Sequence, residues 1–415
     1  MRMLLDTFAQ IFRTLWAHKL RSFLTMFGIA WGVGSLLLLV GLGEGFRSGN
    51  QREMASIGEN IMFLFPGRVP AVAGNLNSGR YYKLTYQDVA DIRREAPHVS
   101  MVSPVLSRQD IRAVSEFATA NGQVVGVEPQ FNQMRYLPQD QGRWMNRPDL
   151  DQRRNVAVLG FEMKKTLFPG RPVLGSTILL NGVPFEVIGT IQTVGRGDNN
   201  ATNQRIYVPY STMAVYFPIK GESQQDALSF INYQPTRRGD HNLAKEEVHR
   251  VVARNHGFDY RAKDAFEEWD TIRSAEMVGK IFDAMNMFLG AVGLVTLALG
   301  AIGVINIMLV SVTERTKEIG LCKALGATNR NILFQFFMEG VIITAVSGAI
   351  GMGAAAGFMA ALGTLPSPEG FDTPKLVPST AALAIVCLTV AGVIAGLYPA
   401  RKAAMLTPVD ALRQE

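Results

Sequence analysis

The chain alternates between long stretches that carry no charge and stretches crowded with it. Four windows lack Asp, Glu, Lys and Arg altogether: residues 22–43, 284–313, 340–368 and 376–400. Each reaches the roughly 20 residues that a helix needs to cross a bilayer at about 1.5 Å per residue. A helix buried in a soluble core rarely runs so long and seldom lacks charge on every face. The pattern predicts a membrane protein with four transmembrane α-helices, over 22–43, 281–312, 332–363 and 378–400. A large α/β extracytoplasmic domain, 44–280, is inserted between the first and the second. The remaining pieces are an N-terminal helix over 1–21, a charged loop over 313–331, a short loop over 364–377 and a tail over 401–415.

Within 44–280 the period changes from segment to segment. "NIMFLFPG" from Asn60 reads as a strand stopped by Pro-Gly. "LTYQDVADIRREAP" from Leu84 reads as a helix with Thr85 and Asp88 at capping-box spacing. "NVAVLGFEMKKTLFPG" reads as strand then helix, and "STILLNGVPFEVIGTI" as two strands around Asn181-Gly182, a strong hairpin signal. "ALSFINYQ" reads as a strand and "NLAKEEVHRVVARNHG" as a helix closed by Gly257. These elements predict two α/β lobes. From Asp264 to Lys280 the spacing of Phe266, Trp269, Ile272 and Ala275 predicts a helical stalk running unbroken into the second span.

Composition agrees with the pattern: 48% of the 415 residues are hydrophobic, only 18% are charged, and 40 are glycine. The formal charge of +6 sits beside apolar runs, which points to membrane lipid and not to nucleic acid. Lys and Arg mark the cytoplasmic side of short loops. Arg2, Arg13, Lys19 and Arg21 precede the first span, the 313–331 loop holds Arg315, Lys317, Lys323 and Arg330, and the tail holds Arg401, Lys402 and Arg413. The loop at 364–377 has Glu369 and Asp372 against Lys375. Both termini are therefore expected inside. Phe8, Ile11, Phe12, Leu15 and Trp16 give the N-terminal helix an apolar face for the headgroup surface. The first span is too long for a signal peptide and lacks an Ala-x-Ala site, so an uncleaved anchor is expected. The two cysteines, Cys322 and Cys387, lie outside the inserted domain, leaving no disulfide framework there.

The chemistry of catalysis is not written in this sequence. It has no Gly-x-x-x-x-Gly-Lys-Ser/Thr phosphate loop, no Gly-x-Ser-x-Gly elbow and no His-Glu-x-x-His. No cofactor or metal is expected, and His249 and His256 read as solvated side chains. The spans carry no ionisable residue at mid-membrane, where ion-coupled transporters place one. They carry instead Gly-x-x-x-Gly pairs, Gly28 with Gly32, Gly353 with Gly357 and Gly392 with Gly396, a spacing that lets helices pack closely within or between subunits.

That leaves the loop "TERTKEIGLCKALGATNRN" at 313–331. It predicts a short amphipathic helix with Ile319, Cys322 and Leu325 on one face, a stop at Gly326-Ala327, and Thr328 as N-cap of the next helix. Together with "HKLRSFLTMFGIAWGVGSLLLLVGLGEG", "SIGENIMFLFPG" and the tail "GLYPARKAAMLTPVDALRQE", this loop resembles the MacB and FtsX type of ABC transporter permease, in the type VII superfamily. The resemblance implies a permease working as a pair, with a second copy or a paralogue. It also implies a cytosolic ATPase dimer that binds the ATP on a separate chain, since this one starts almost at the membrane, and a periplasmic adaptor with an outer-membrane channel. Motion would pass from ATPase to periplasmic domain to drive efflux or extrusion. The ATPase-coupling role falls on Glu314, Arg315, Lys317, Glu318, Ile319, Gly320, Lys323, Ala324, Gly326 and Ala327, while Cys322 stands where the family more often has a larger residue. In the tail, Pro399, Ala400, Pro408, Ala411, Leu412 and Arg413 match, and Thr407 with Asp410 has capping-box spacing. A lipoprotein-releasing permease and an FtsX-like regulator of a cell-wall hydrolase are the alternatives within the family.

Overall fold

A computed structural model describes residues 19–69, 79–195, 200–219, 226–365 and 370–407. The N-terminal helix before Lys19, Glu369, and the tail residues Pro408, Asp410, Ala411, Leu412 and Arg413 lie outside the described residues. The main helices are α1 (Lys19–Ile57), α2 (Tyr86–Glu95), α3 (His241–His256), α4 (Thr271–Glu314), α5 (Thr316–Ala324), α6 (Asn329–Leu362) and α7 (Pro378–Met405). The strands are β1 (Met62–Phe65), β2 (Val99–Val114), β3 (Thr119–Val127), β4 (Gln139–Gly142), β5 (Val156–Leu159), β6 (Thr177–Leu180), β7 (Val183–Ile191), β8 (Arg205–Pro209), β9 (Phe230–Pro235) and β10 (Glu267–Asp270). Two units result, one of 1–49 with 279–415 and one of 50–278.

The first unit is the helical one, and α1, α4, α6 and α7 are each long and apolar enough to cross a membrane. Glycines set how these helices meet, because a residue without a side chain lets backbone approach backbone. A methyl added at Gly32 would lie 3.1 Å from Leu297 Cα, and one at Gly28 3.8 Å from Gly300 Cα, so α1 lies against α4 along these residues. On another side of α1, a methyl at Gly351 of α6 would collide with Ala30 O. The α6 and α7 backbones approach at Gly340, where a methyl would come 2.8 Å from Gly396 Cα, and Gly392 faces Thr344 one turn away. The pair Gly353 and Gly357 makes no such contact within the chain. Added methyls there would meet nothing within 4 Å. The turn of the helix carries both to the uncovered side of α6, and Gly340, Gly348 and Gly351 make its packed side instead.

A second glycine series escapes the pattern of paired glycines. Gly41, Gly45 and Gly49 recur every fourth residue on α1, and methyls there would meet Met359 Cε at 2.9 Å, Asp372 O at 2.6 Å and Gly370 O at 2.5 Å. The segment before α7 is thereby seated on α1, where the Asp372 amide donates to Gly45 O at 2.9 Å.

The second unit is built on one mixed sheet. Its strands run in the order β10-β1-β9-β2-β3-β8-β5-β7-β4, and β6 bridges β2 and β7, closing a ring of pairings through β2, β3, β8, β5, β7 and β6. The long strand β2 belongs to both halves, pairing β9 through Val99–Val105 and β3 from Leu106 onward. The two expected lobes therefore share one strand. Local chemistry explains the elements: Thr85 caps α2 with Asp88 in a reciprocal box, and Asn181 and Gly182 take positive φ, 47° and 89°, in the tight turn between β6 and β7. Gly257 ends α3 at φ 69°.

The stalk differs from its prediction. Residues 267–270 form β10, paired antiparallel to β1, and the helix begins only at Thr271. The three-residue spacing of Phe266 and Trp269 reflects packing, with Phe266 stacked on His249 and Trp269 on Phe63. Helix α3 is held by contacts to carboxylates, and His249 and His256 are not solvated. His249 Nε2 lies 3.1 Å from Glu268, His256 Nε2 2.9 Å from Asp88, and Glu247 reaches His98 at 2.6 Å. Lys245 also pairs with Glu268, and Tyr233 donates its hydroxyl to Glu268 at 2.5 Å. Burial pushes the Glu268 and Asp88 carboxyls up, but hydrogen bonds and charge from His249, Lys245 and His256 outweigh it and hold both below their ordinary values.

Candidate functional site

The 313–331 loop folds into a hydrogen-bonded corner. α4 ends at Glu314, Arg315 leaves helical geometry at φ −99°, ψ 15°, and α5 begins at Thr316. The Thr316 hydroxyl donates to Thr313 O at 2.8 Å, satisfying a carbonyl at the end of α4. α5 closes with Gly326 at φ +100°. The Gly326 amide donates to Lys323 O and the Ala327 amide to Cys322 O, each at 3.0 Å. This is the paired hydrogen bonding of a glycine-terminated helix, which requires positive φ and so favours glycine. Thr328 then caps α6, its hydroxyl accepting from the Asn331 amide at 3.3 Å.

The corner has an inner and an outer face. Ile319 is 4% exposed and packs with Val312, Met308, Ile332 and Phe336. Thr316 and Gly320 are buried beside it. Two charged side chains also turn inward. Arg315 lies 3.7 Å from Glu339 of α6, and Lys323 donates to Ala404 O and Leu406 O at the end of α7, both at 2.6 Å. The outer face is left to Glu314, Lys317, Glu318, Ala324 and Gly326, all exposed, with Ala327 half-buried.

The expected grouping of Ile319, Cys322 and Leu325 does not hold. Ile319 is inside, whereas Cys322 is exposed and Leu325 is 81% exposed. Leu321, absent from the expected face, is 55% exposed. A nine-residue helix advances about 100° per residue, so steps of three drift off a narrow face, while Leu321 and Leu325, four apart, share one. The result is an apolar tip of Leu321 and Leu325 rimmed by Lys317 and Glu318. Among the described residues little covers these two leucines, which leaves them free to meet a partner or lipid.

The corner lies wholly inside a region shared with known proteins. The MacB-like periplasmic core domain matches residues 22–251, and the FtsX-like permease C-terminal region matches 290–408. The chain belongs to the MacB/FtsX family of permeases. Among its relatives in that family, the macrolide export ATP-binding/permease protein MacB of Bdellovibrio bacteriovorus is 30% identical over all of this chain and 62% of its own length. The MacB of Chlorobium luteolum is 33% identical over 98% of this chain and 60% of its own. The chain thus spans about three-fifths of the length of the curated relatives it matches. A crystal structure of the periplasmic region of MacB from Actinobacillus actinomycetemcomitans aligns with 55% of this chain and 95% of its own at 22% identity, with a TM-score of 0.43.

Proposed function

We propose that this chain is the permease of an ABC export system, and that the α5 corner is where ATP hydrolysis by a cytosolic ATPase dimer enters it. The observation that carries the proposal is the tip itself: Leu321 and Leu325 stand exposed on a helix whose other face is packed into the bundle. A hydrophobic knob on a packed mount suits the transmission of force better than a flexible tether would. On this reading Glu314, Lys317, Glu318, Ala324 and Gly326 form the docking face, while Arg315, Ile319, Gly320, Lys323 and Ala327 hold its shape. ATP binds to the ATPase and not to this chain.

The export direction is carried over from the relatives named for macrolide export. The family match of residues 22–251 supports placing the inserted domain in the periplasm, with both termini cytoplasmic in an inner membrane. There it would meet an adaptor and an outer-membrane channel, and the permease would work with a second copy or a paralogue. The described spans supply no polar path, and in mechanotransmission none is needed: ATPase closure moves the helices, and the domain beyond the membrane acts on the substrate.

The test is co-purification of the full chain from native membranes, with Glu318→Lys alongside. An ATP-hydrolysing partner recovered with the unaltered chain and lost with Glu318→Lys is the expected result. Recovery of no such partner, or equal recovery with both, would overturn the assignment.

A further inference from the structure

Lys323 does something its position does not require. In a docking loop a lysine is expected to face water or a partner's carboxylates, yet its ammonium donates to two backbone carbonyls more than 80 residues away, Ala404 O and Leu406 O, at 2.6 Å each. Those acceptors stand at the end of α7, where carbonyls have no partner within the helix and the helix dipole places negative charge. A cation there completes α7 and at the same time ties α5 to it. Ala400 and Ala403 of α7 belong to the same buried cluster as Ile319, so the tie lies beside a packed contact and is not a stray surface bond.

We infer that Lys323 is a positioning residue that makes α5 and α7 move as one body. The inference rests on the reading of α5 as the docking element but concerns what lies behind it. α5 is joined to α4 and α6 directly along the chain and by the packing of Ile319. α7 is reached along the chain only through the whole of α6 and the segment after it, so without Lys323 a push on α5 would reach the end of α7 only by side-chain packing. With Lys323 in place, displacement of the tip is handed to α7. The close α6–α7 contact at Gly340 and Gly396 then keeps that pair together.

The experiment uses the full-length chain in detergent, with Cys387→Ser leaving the native Cys322 as one labelling site and Met405→Cys, 72% exposed, as the other. The label-to-label distance distribution is measured by pulsed electron resonance in the parent, in Lys323→Met and in Lys323→Arg. Arginine can still donate to both carbonyls and methionine cannot. A narrow distribution in the parent and in Lys323→Arg, broadened in Lys323→Met, is the expected result. An unchanged distribution in Lys323→Met, or broadening in Lys323→Arg as well, overturns the inference. Coupling is then read with the ATPase added. Lys323→Met should lose about tenfold in coupled transport, the order expected when charge-assisted hydrogen bonds are removed, and Lys323→Arg should recover most of that loss. Transport unchanged in Lys323→Met also overturns the inference. Failure of the parent to bind any ATPase would defeat the docking reading, and the distance measurement, made without a partner, would still decide whether Lys323 ties the two helices.

Discussion

Replacing Leu325 by serine separates docking from folding more cleanly than any other substitution in the corner. Leu325 is 81% exposed, so its removal takes almost nothing from the packed interior. Full burial of a leucine side chain contributes about 1.5–3 kcal/mol. Four-fifths of that, about 1.2–2.4 kcal/mol, is the part still available to a partner. At about 1.4 kcal/mol per factor of ten, Leu325→Ser should weaken ATPase binding roughly sevenfold to fiftyfold. The assay is titration of the purified ATPase onto the detergent-solubilised chain, with thermal unfolding of both variants in parallel. Two outcomes would defeat the prediction. An affinity within twofold of the parent says that the tip touches nothing, and a clear drop in thermal stability says that it is packed within the chain.

Other outcomes follow from the same structure. Gly32→Val should destabilise the helical unit by about 1–3 kcal/mol, because the new side chain meets Leu297 backbone atoms at 3.1 and 3.2 Å; Gly353→Val, with nothing near it, should unfold at the parent's temperature. Glu268→Gln leaves Lys245 without its counter-charge at a buried carboxylate site, and chemical unfolding should report a loss of about 3–5 kcal/mol. The Glu268 and Asp88 carboxyls are held below their ordinary values of 4.5 and 3.8. Their contribution is therefore complete above those values and is lost as pH falls through the folded-state values beneath them; a stability–pH curve should drop in that acid window, and less steeply in Glu268→Gln. Gly326→Val costs about 1–3 kcal/mol of backbone strain at φ +100°; reduced transport with membrane insertion unchanged is the expected readout.

Much of the fold was legible in the residues, and the reasons differ from element to element. The spans stood out because a helix of that length without charge on any face is stable in little besides a bilayer. The Thr85–Asp88 box and the Asn181-Gly182 turn were readable because each carries its own local chemistry. What failed was long-range. β10 reads as helix in isolation, and only its pairing with β1, some 200 residues earlier, makes it a strand. His249 and His256 look like surface residues until Glu268 and Asp88 are folded against them. Gly353 and Gly357 have the same spacing as Gly28 and Gly32, and spacing cannot say whether a helix face packs within its own chain or against another. Within the candidate site, the corner's ends were readable from Gly326 and Thr328. The inward turn of Lys323 was not, since its partners are backbone carbonyls of a distant helix that leave no mark in sequence.

Whether a separate ATPase meets the α5 tip can be asked through the chain's own chemistry. Cys322 is exposed at that tip, so in a Cys387→Ser background a photoactivatable cross-linker can be placed on it alone in native membranes. A docking tip predicts a cross-link to a polypeptide that binds and hydrolyses ATP, diminished by Leu325→Ser. Cross-links to lipid alone, or to a protein that binds no nucleotide, would contradict it.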